Sequence, residues 1–436
     1  MKFGGTSVGK PERMNQISKL ITKDVEPKIV VLSALSGTTN ALSEISQCLS
    51  SGDRAAARQK IDVLESHYQD FIRELVKSEE GYEKAKNILA EHFEFLNIIL
   101  KISYSEALNK DILAQGELLS TKLFSVFLFE KGIKHTLIPA LDFMTIDSAG
   151  EPQVGSIKVK LSQILKKYKD TTVFLTQGYI CRNSKGEVDN LKRGGSDYTA
   201  SLVAGAINAS ICEIWTDIDG MHNNDPRIVE KTKPIGHLSF EEAAELAYFG
   251  AKILHPASIW PAQHFKFPVK LLNTMDPEAP GTLIESEAGS VGVKAVAAKD
   301  AITAIKIKSS RMLLAYGFLR KIFEVFEKYQ TAIDMVTTSE VAVSLTIDNN
   351  AYMSEIIKEL ELYGTVEVDS DQTIVSIVGN QITQTPDVLA KVFTSLSGIP
   401  VRMVSYGGSQ HNISILVSRE HKEKTLQLLN KGLFAM

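Results

Sequence analysis

Four short, predominantly apolar runs constrain this chain most: Ile29–Leu32, Thr172–Leu175, Ile211–Trp215 and Val269–Leu272. Strands with one wet face alternate apolar and polar residues, whereas near-continuous runs of this length belong to strands covered on both faces. Between them the apolar period lengthens to three and four residues. Pro11–Ile21 reads as a helix, with proline in its first turn and Met14, Ile17 and Ile21 on one face. Buried strands alternating with helices predict an α/β domain on a largely parallel sheet. From Arg54 to Lys131 the chain is mostly helical, a long insertion that reads as a cap or an oligomer surface.

The pattern changes at the turn-rich stretch Pro277–Val293. Beyond it, strand–helix–strand–strand–helix occurs twice, an internal repeat of about 60 residues per copy. The first copy comprises Thr303–Ile307, Phe318–Tyr329, Ala332–Val336, Val341–Ile347 and Tyr352–Tyr363. The second comprises Thr373–Val378, Thr385–Ser397, Val401–Ser405, Asn412–Val417 and Lys422–Asn430.

At 436 residues the chain is too long for one ordinary domain, and its 44% hydrophobic and 23% charged content is that of a globular protein. A net charge of −4 gives no reason to expect nucleic acid or an anionic membrane as partner. No secretory signal and no uninterrupted membrane-spanning run stand out, and Cys48, Cys181 and Cys212 are not spaced for a disulfide or zinc framework. A cytoplasmic location is expected.

Four segments could carry chemistry. In Lys2-Phe3-Gly4-Gly5-Thr6-Ser7-Val8-Gly9-Lys10, adjacent glycines before a helix let backbone amides approach a phosphate. Gly4–Lys10 matches the start of a P-loop, but Pro11 stands where the magnesium-binding hydroxyl is required, so a P-loop is not expected. An ordinary glycine turn stays open. Ser33–Asn40 follows a strand and could line a ligand crevice, or Thr39 or Asn40 could simply cap a helix Ala41–Leu49. Arg193-Gly194-Gly195-Ser196-Asp197 opens the helix Tyr198–Ala209 and combines an anion nest with a guanidinium suited to a carboxylate. Thr216-Asp217-Ile218-Asp219-Gly220 follows a strand, with Asp225-Pro226-Arg227 close behind; a ligand site and an Asp-Gly turn are both open there. Glu117 and Lys252 would each read as solvated charges on spacing alone, and His255 before a proline reads as structural. No nucleophile–base set is evident. Glycine loops with lysines and an arginine describe phosphoryl transfer by positioning and charge neutralisation.

Taken in order, these segments resemble the aspartate kinases of the amino-acid-kinase superfamily, in the monofunctional form with two C-terminal ACT domains. The resemblance also rests on Gly116-Glu117, Gly250–Pro256, Gly317–Leu319, Asp334–Glu340 and Ser409–Asn412. It implies a largely parallel sheet sandwiched by helices over residues 1–290, then two ferredoxin-like α+β ACT domains. The first, 303–375, would be inserted into the second, 293–302 with 376–436. It implies catalytic roles for Lys2, Asp197 and Lys252, and aspartate contacts at Thr39, Glu117, Arg193, Gly194, Gly195 and Ser196. ATP would be held by Lys2, Phe3, Gly4, Gly5, Thr216, Asp217, His222, Arg227 and Lys252, with Mg²⁺ carried on its phosphates. An amino-acid effector, expected to be lysine, would meet Met312, Gly317, Phe318, Leu319, Asp334, Thr338, Ser339 and Glu340. A homodimer through the ACT domains, or a dimer of dimers, is implied as well. Relatives usually carry several residues ahead of the Lys-Phe-Gly-Gly stretch and often a tyrosine at position 222; here Met1 alone precedes Lys2, and 222 is histidine. Two other readings are a kinase of glutamate or a related acid, and a non-catalytic amino-acid sensor.

Overall fold

A two-residue strand, Lys2–Phe3, lies at the centre of the main sheet. It pairs in parallel with Lys28–Leu32 on one side and Cys212–Thr216 on the other, matching Phe3 with Leu32 and with Trp215. Outward on the first side, Val173–Gln177 and then Thr136–Leu137 continue the parallel order. On the second side Val269–Asn273 is parallel and Thr282–Glu285 antiparallel. The four apolar runs are therefore buried strands, two on each side of Lys2–Phe3, with edges within two residues of those expected.

These features come from a computed structural model that describes residues 1–191, 194–250, 254–287, 289–309 and 316–436. The chain divides into two units, Met1–Met221 with Ile253–Ser286 and His222–Lys252 with Glu287–Met436. In the first unit the helical insertion is three long helices, Arg54–Leu75, Glu79–Ile99 and Glu106–Glu130. Each starts on a side-chain cap: Asp53, Ser78 and Ser105 accept from the amides of Ala56, Gly81 and Leu108. Among the described residues, Glu106–Glu130 is the one helix long and apolar enough to cross a membrane. Its Leu119, Leu123, Phe124 and Phe127 instead share a core with Phe3, Val30, Leu32 and Tyr68.

The second unit holds a six-stranded antiparallel sheet in the order Val336–Thr338, Ala342–Ile347, Gly292–Lys308, Thr365–Asn380, Asn412–Ser418, Met403–Ser405. The expected strands Thr303–Ile307 and Thr373–Val378 are parts of two much longer ones, which pair from Gly292↔Asn380 to Lys308↔Thr365. Their continuity is masked in the sequence by register shifts, near which Ala301 and Asp371 adopt φ of 60° and 61°. The strand expected at Ala332–Val336 begins only at Val336, because Asp334 N–H and Met335 C=O both bond Thr346, two residues facing one. Helices Phe318–Lys328 and Met353–Leu360 cover one part of this sheet through Ile322, Phe326 and Ile356, and Val388–Ser395 and Lys422–Phe434 cover another through Val392, Leu426 and Leu429.

The stretch beginning at His222 was expected within the catalytic domain and packs with the C-terminal unit. Val296 N–H donates to Asn223 O at 2.8 Å, Asn224 Nδ2 to Leu426 O at 3.2 Å, and Asn430 Nδ2 to Lys231 O at 3.1 Å. Buried asparagine amides need such partners.

Candidate active site

Two loops leave the C-terminal ends of neighbouring parallel strands, where α/β sheets collect ligands. The first turns at Gly4 into the short helix Gly5–Val8, with no side chain capping it. The second, from Ser33, leads into the helix Thr38–Ser50. They touch closely: a Cβ on Gly5 would stand 3.0 Å from Ala34 O, and one on Gly9 3.1 Å from Ser36 Cβ. The helix cap is Gly37 at φ 84°, not Thr39 or Asn40 as the sequence allowed. Thr39 lies exposed on the first turn, while Thr38 is buried with its Oγ1 3.0 Å from Tyr68 OH.

Lys2 projects from the central strand to Asp197, Nζ to Oδ1 at 2.6 Å, with side chains 11% and 16% exposed. Its ammonium would be 3.3 Å from a Cβ on Gly4, so the cation sits over the glycine loop. Asp197 lies in the first turn of the helix Gly195–Ile207, whose amino end favours an anion. The turn into this helix requires glycine. Gly194 and Gly195 have φ of 72° and 46°, and a Cβ on Gly194 would meet Ser258 Oγ at 2.6 Å. Gly194→Ala is accordingly expected to lower stability by about 1–3 kcal/mol, read as a fall in Tm; an unchanged Tm would refute the strain. Ser196 is buried, and any side chain on Gly178 would collide with it.

Glu117 is the main electrostatic departure from a solvated helix residue. Gly116 removes the side chain that would otherwise stand 2.8 Å from Ala34 Cβ, and so lets the helix Glu106–Glu130 press against the second loop. Glu117 Oε1 then accepts from Ala34 N–H at 3.4 Å, while Oε2 is buried with no hydrogen-bond partner among the described residues. Burial pushes the carboxyl up to about 8. The same charge, after burial, raises the phenols of Tyr68 and Tyr179. Tyr179 has φ of 67° and its N–H donates to Thr199 Oγ1 at 2.9 Å. Neither tyrosine was singled out in the sequence, where nothing local distinguishes them.

Thr216 and Asp217 stand at the end of Cys212–Thr216, Oγ1 donating to Oδ1 at 3.1 Å. In the second unit, His222 Nδ1 is 2.9 Å from Thr232 Oγ1. Arg227 makes two side-chain bonds to Asp225, at 2.9 and 2.7 Å, which hold that carboxyl below its usual range. His255 caps Pro256–Phe265, accepting from Ala257 N–H at 3.1 Å. Arg193, Lys252 and Met312 lie outside the described residues. Of the expected effector residues, Gly317 at φ 79° caps Phe318–Lys328, Phe318 is buried, and Leu319, Thr338, Ser339 and Glu340 are exposed. Asp334 is 1% exposed at its side chain and is engaged by Lys299 and Tyr248.

The amino acid kinase family matches residues 1–273, and an ACT domain matches 375–433. The chain is 34% identical to lysine-sensitive aspartokinase 3 of Escherichia coli across 99% of its own length and 98% of the relative's. The crystal structure of E. coli aspartokinase III with aspartate and ADP, an R-state, superposes with a TM-score of 0.87 at 33% identity over 99% of each chain. The T-state of that enzyme with lysine and aspartate gives a TM-score of 0.80, covering 99% of this chain and 98% of the other.

Proposed function

Because this chain belongs to the amino acid kinase family, among its aspartokinases, we propose that it transfers the γ-phosphoryl group of ATP to the side-chain carboxylate of L-aspartate. A carboxylate oxygen attacks the γ-phosphorus, the bond from phosphorus to the β,γ-bridging oxygen breaks, and 4-phospho-L-aspartate and ADP result. This is the opening step toward lysine, threonine and methionine. The substrate is already a nucleophile at neutral pH, so no general base is needed.

The observation that carries the reading is the arrangement around Ala34: its N–H faces the buried Glu117 carboxylate, and its carbonyl packs on the glycine loop over which Lys2 stands. An unpartnered carboxylate oxygen suits the substrate's ammonium group. Lys2 and the Gly4–Gly5 amides suit the transferred phosphoryl group, whose charge grows in the transition state. Asp197 orients Lys2. Thr39, Arg193, Gly194, Gly195 and Ser196 complete the aspartate contacts, Arg193 toward a carboxylate. Phe3, Thr216, Asp217, His222, Arg227 and Lys252 take the nucleotide. Mg²⁺ would ride on the nucleotide phosphates and neutralise them there. Regulation by lysine at Gly317–Leu319 and Asp334–Glu340, Met312 included, and dimerisation through the ACT segments belong to the same proposal.

An ATP- and Mg²⁺-dependent assay with hydroxylamine trapping tests it. Hydroxamate is expected from aspartate. Signal from glutamate alone would replace the substrate, and none from either would favour the sensor reading. Inhibition by lysine is expected; indifference to lysine, threonine and methionine would refute the regulatory part.

A further inference from the structure

The helix Phe240–Tyr248 is fixed to the six-stranded sheet of its own unit by a series of polar contacts. Glu242, fully buried, takes Lys294 Nζ at 2.8 Å, and Glu245 Oε2 accepts from Asn412 Nδ2 at 3.0 Å. At the last helical residue, Tyr248 OH donates to Asp334 Oδ1 at 2.6 Å. Lys299 Nζ reaches the same oxygen at 2.8 Å, reaches Asp348 Oδ2 at 2.9 Å, and stands 4.3 Å from the Tyr248 ring centroid. The next residue, Phe249, is buried with Ile302, Met335 and Ile374, and a side chain on Gly250 would run into the Ala298 carbonyl.

Asp334 is shared in an unusual way. Both partners use Oδ1, and Oδ2 is buried with no hydrogen-bond partner among the described residues. A buried carboxylate oxygen left open is costly and favours any donor that can reach it, and an ammonium drawn there shares the charge that Tyr248 and Lys299 now hold through Oδ1. The Tyr248 phenol is pushed up to about 12, by burial first and then by Asp334, so it remains a donor throughout the physiological range.

We propose that Tyr248 and Lys299 are positioning residues: through Asp334 they hold the helix Phe240–Tyr248, with Phe249 and Gly250, in one placement on the sheet, and an ammonium-bearing effector that takes Asp334 competes with that hold. The inference rests on the reading of Asp334 as an effector residue. In sequence the expected nucleotide residue Lys252 follows Tyr248 by four positions and lies outside the described residues, and the proposal includes a coupling of the hold to ATP use. Such a coupling is reciprocal. An effector that displaces the hold weakens ATP use, and a substitution that removes the hold makes the effector bind more tightly.

The test uses the full-length protein with L-lysine as probe. Tyr248→Phe removes one donor and keeps the ring. It is expected to lower the half-inhibitory lysine concentration by about 2–10-fold, the range of one hydrogen bond. It should also raise KM for ATP while kcat at saturation stays within about twofold, a split that mere loss of folded protein does not produce. Lys299→Met should act in the same direction, and Lys299→Arg should restore wild-type behaviour. If lysine inhibits the wild type but neither Tyr248→Phe nor Lys299→Met moves the half-inhibitory concentration or KM for ATP, the hold is refuted and the effector reading stands. If lysine neither binds nor inhibits the wild type, the effector reading falls. Effector-free hydrogen exchange then decides the hold: faster exchange over 240–249 in Tyr248→Phe at an unchanged Tm supports it, and identical exchange overturns it.

Discussion

Replacing Lys2 with methionine is expected to lower kcat by ~10²–10³-fold or more, the range for removing one preorganised charge-stabilising donor. The fold should survive, because Lys2's side chain is not what anchors its strand. Phe3 is completely buried and stacks on Trp215 at 5.8 Å, the Met1 ammonium donates to Ile29 O at 2.9 Å, and Val31 N–H donates to Met1 O at 2.9 Å. Lys2 contributes instead the contact to Asp197 and a cation above Gly4. Methionine leaves Asp197 unpaired, at a stability cost of about 1–3 kcal/mol, so Tm should fall by several degrees while the far-UV circular dichroism persists. Lys2→Arg keeps the charge with different reach and should restore Tm more than turnover. Asp197→Asn should also lose turnover, since Lys2 is then held less firmly. Wild-type-like kcat in Lys2→Met would remove Lys2 from the chemistry.

The parts of this site differed in how far they could be read in sequence, and the difference has a physical basis. Ile29–Leu32 was visible as a strand because burial on both faces leaves a continuous apolar mark, and Val269–Leu272 because Lys270 alone interrupts it. Lys2–Phe3 leaves no such mark; two residues have no periodicity, and only the glycines behind them signalled a loop. The sequence allowed a cap at Thr39 or Asn40, whereas the cap is Gly37, since a left-handed glycine and a capping hydroxyl compete for the same place. Thr38 instead spends its hydroxyl on Tyr68, thirty residues on. Glu117 looked solvated on spacing alone because its burial is set by Gly116 packing on Ala34, more than eighty residues away. Tyr248 and Asp334, 86 residues apart, were likewise invisible as a pair. Local period and turn chemistry thus located the elements and loops, whereas long-range close approach decided which polar groups work.

Glu117 gives the second large effect, through pH. Its carboxyl lies near 8 because burial disfavours the charged form. Unliganded at pH 7, the group is therefore mostly protonated. On the proposed reading the substrate's ammonium group would meet Glu117 and favour its ionised form, so binding is expected to release a proton. The expected result is a kcat/KM for aspartate that rises up to about tenfold per pH unit from pH 6 to 8, then levels. Glu117→Gln should flatten that profile and raise KM for aspartate by about 10–100-fold, the loss of one charged hydrogen bond of about 1.5–3 kcal/mol, with KM for ATP little changed. Calorimetric titration in buffers of different ionisation enthalpy should detect the proton release in the wild type and lose it in the variant. The stability consequence has the opposite slope. A carboxyl raised in the folded state from 4.5 to about 8 favours folding below the lower value, and this contribution is lost as pH climbs through that window. Glutamine does not titrate, so Tm of Glu117→Gln should gain on the wild type as pH goes from 5 to 8. A flat wild-type profile for aspartate, or equal proton release from both proteins, would separate Glu117 from the substrate's amino group. A Tm difference that does not change with pH would show that burial has not raised its pKa.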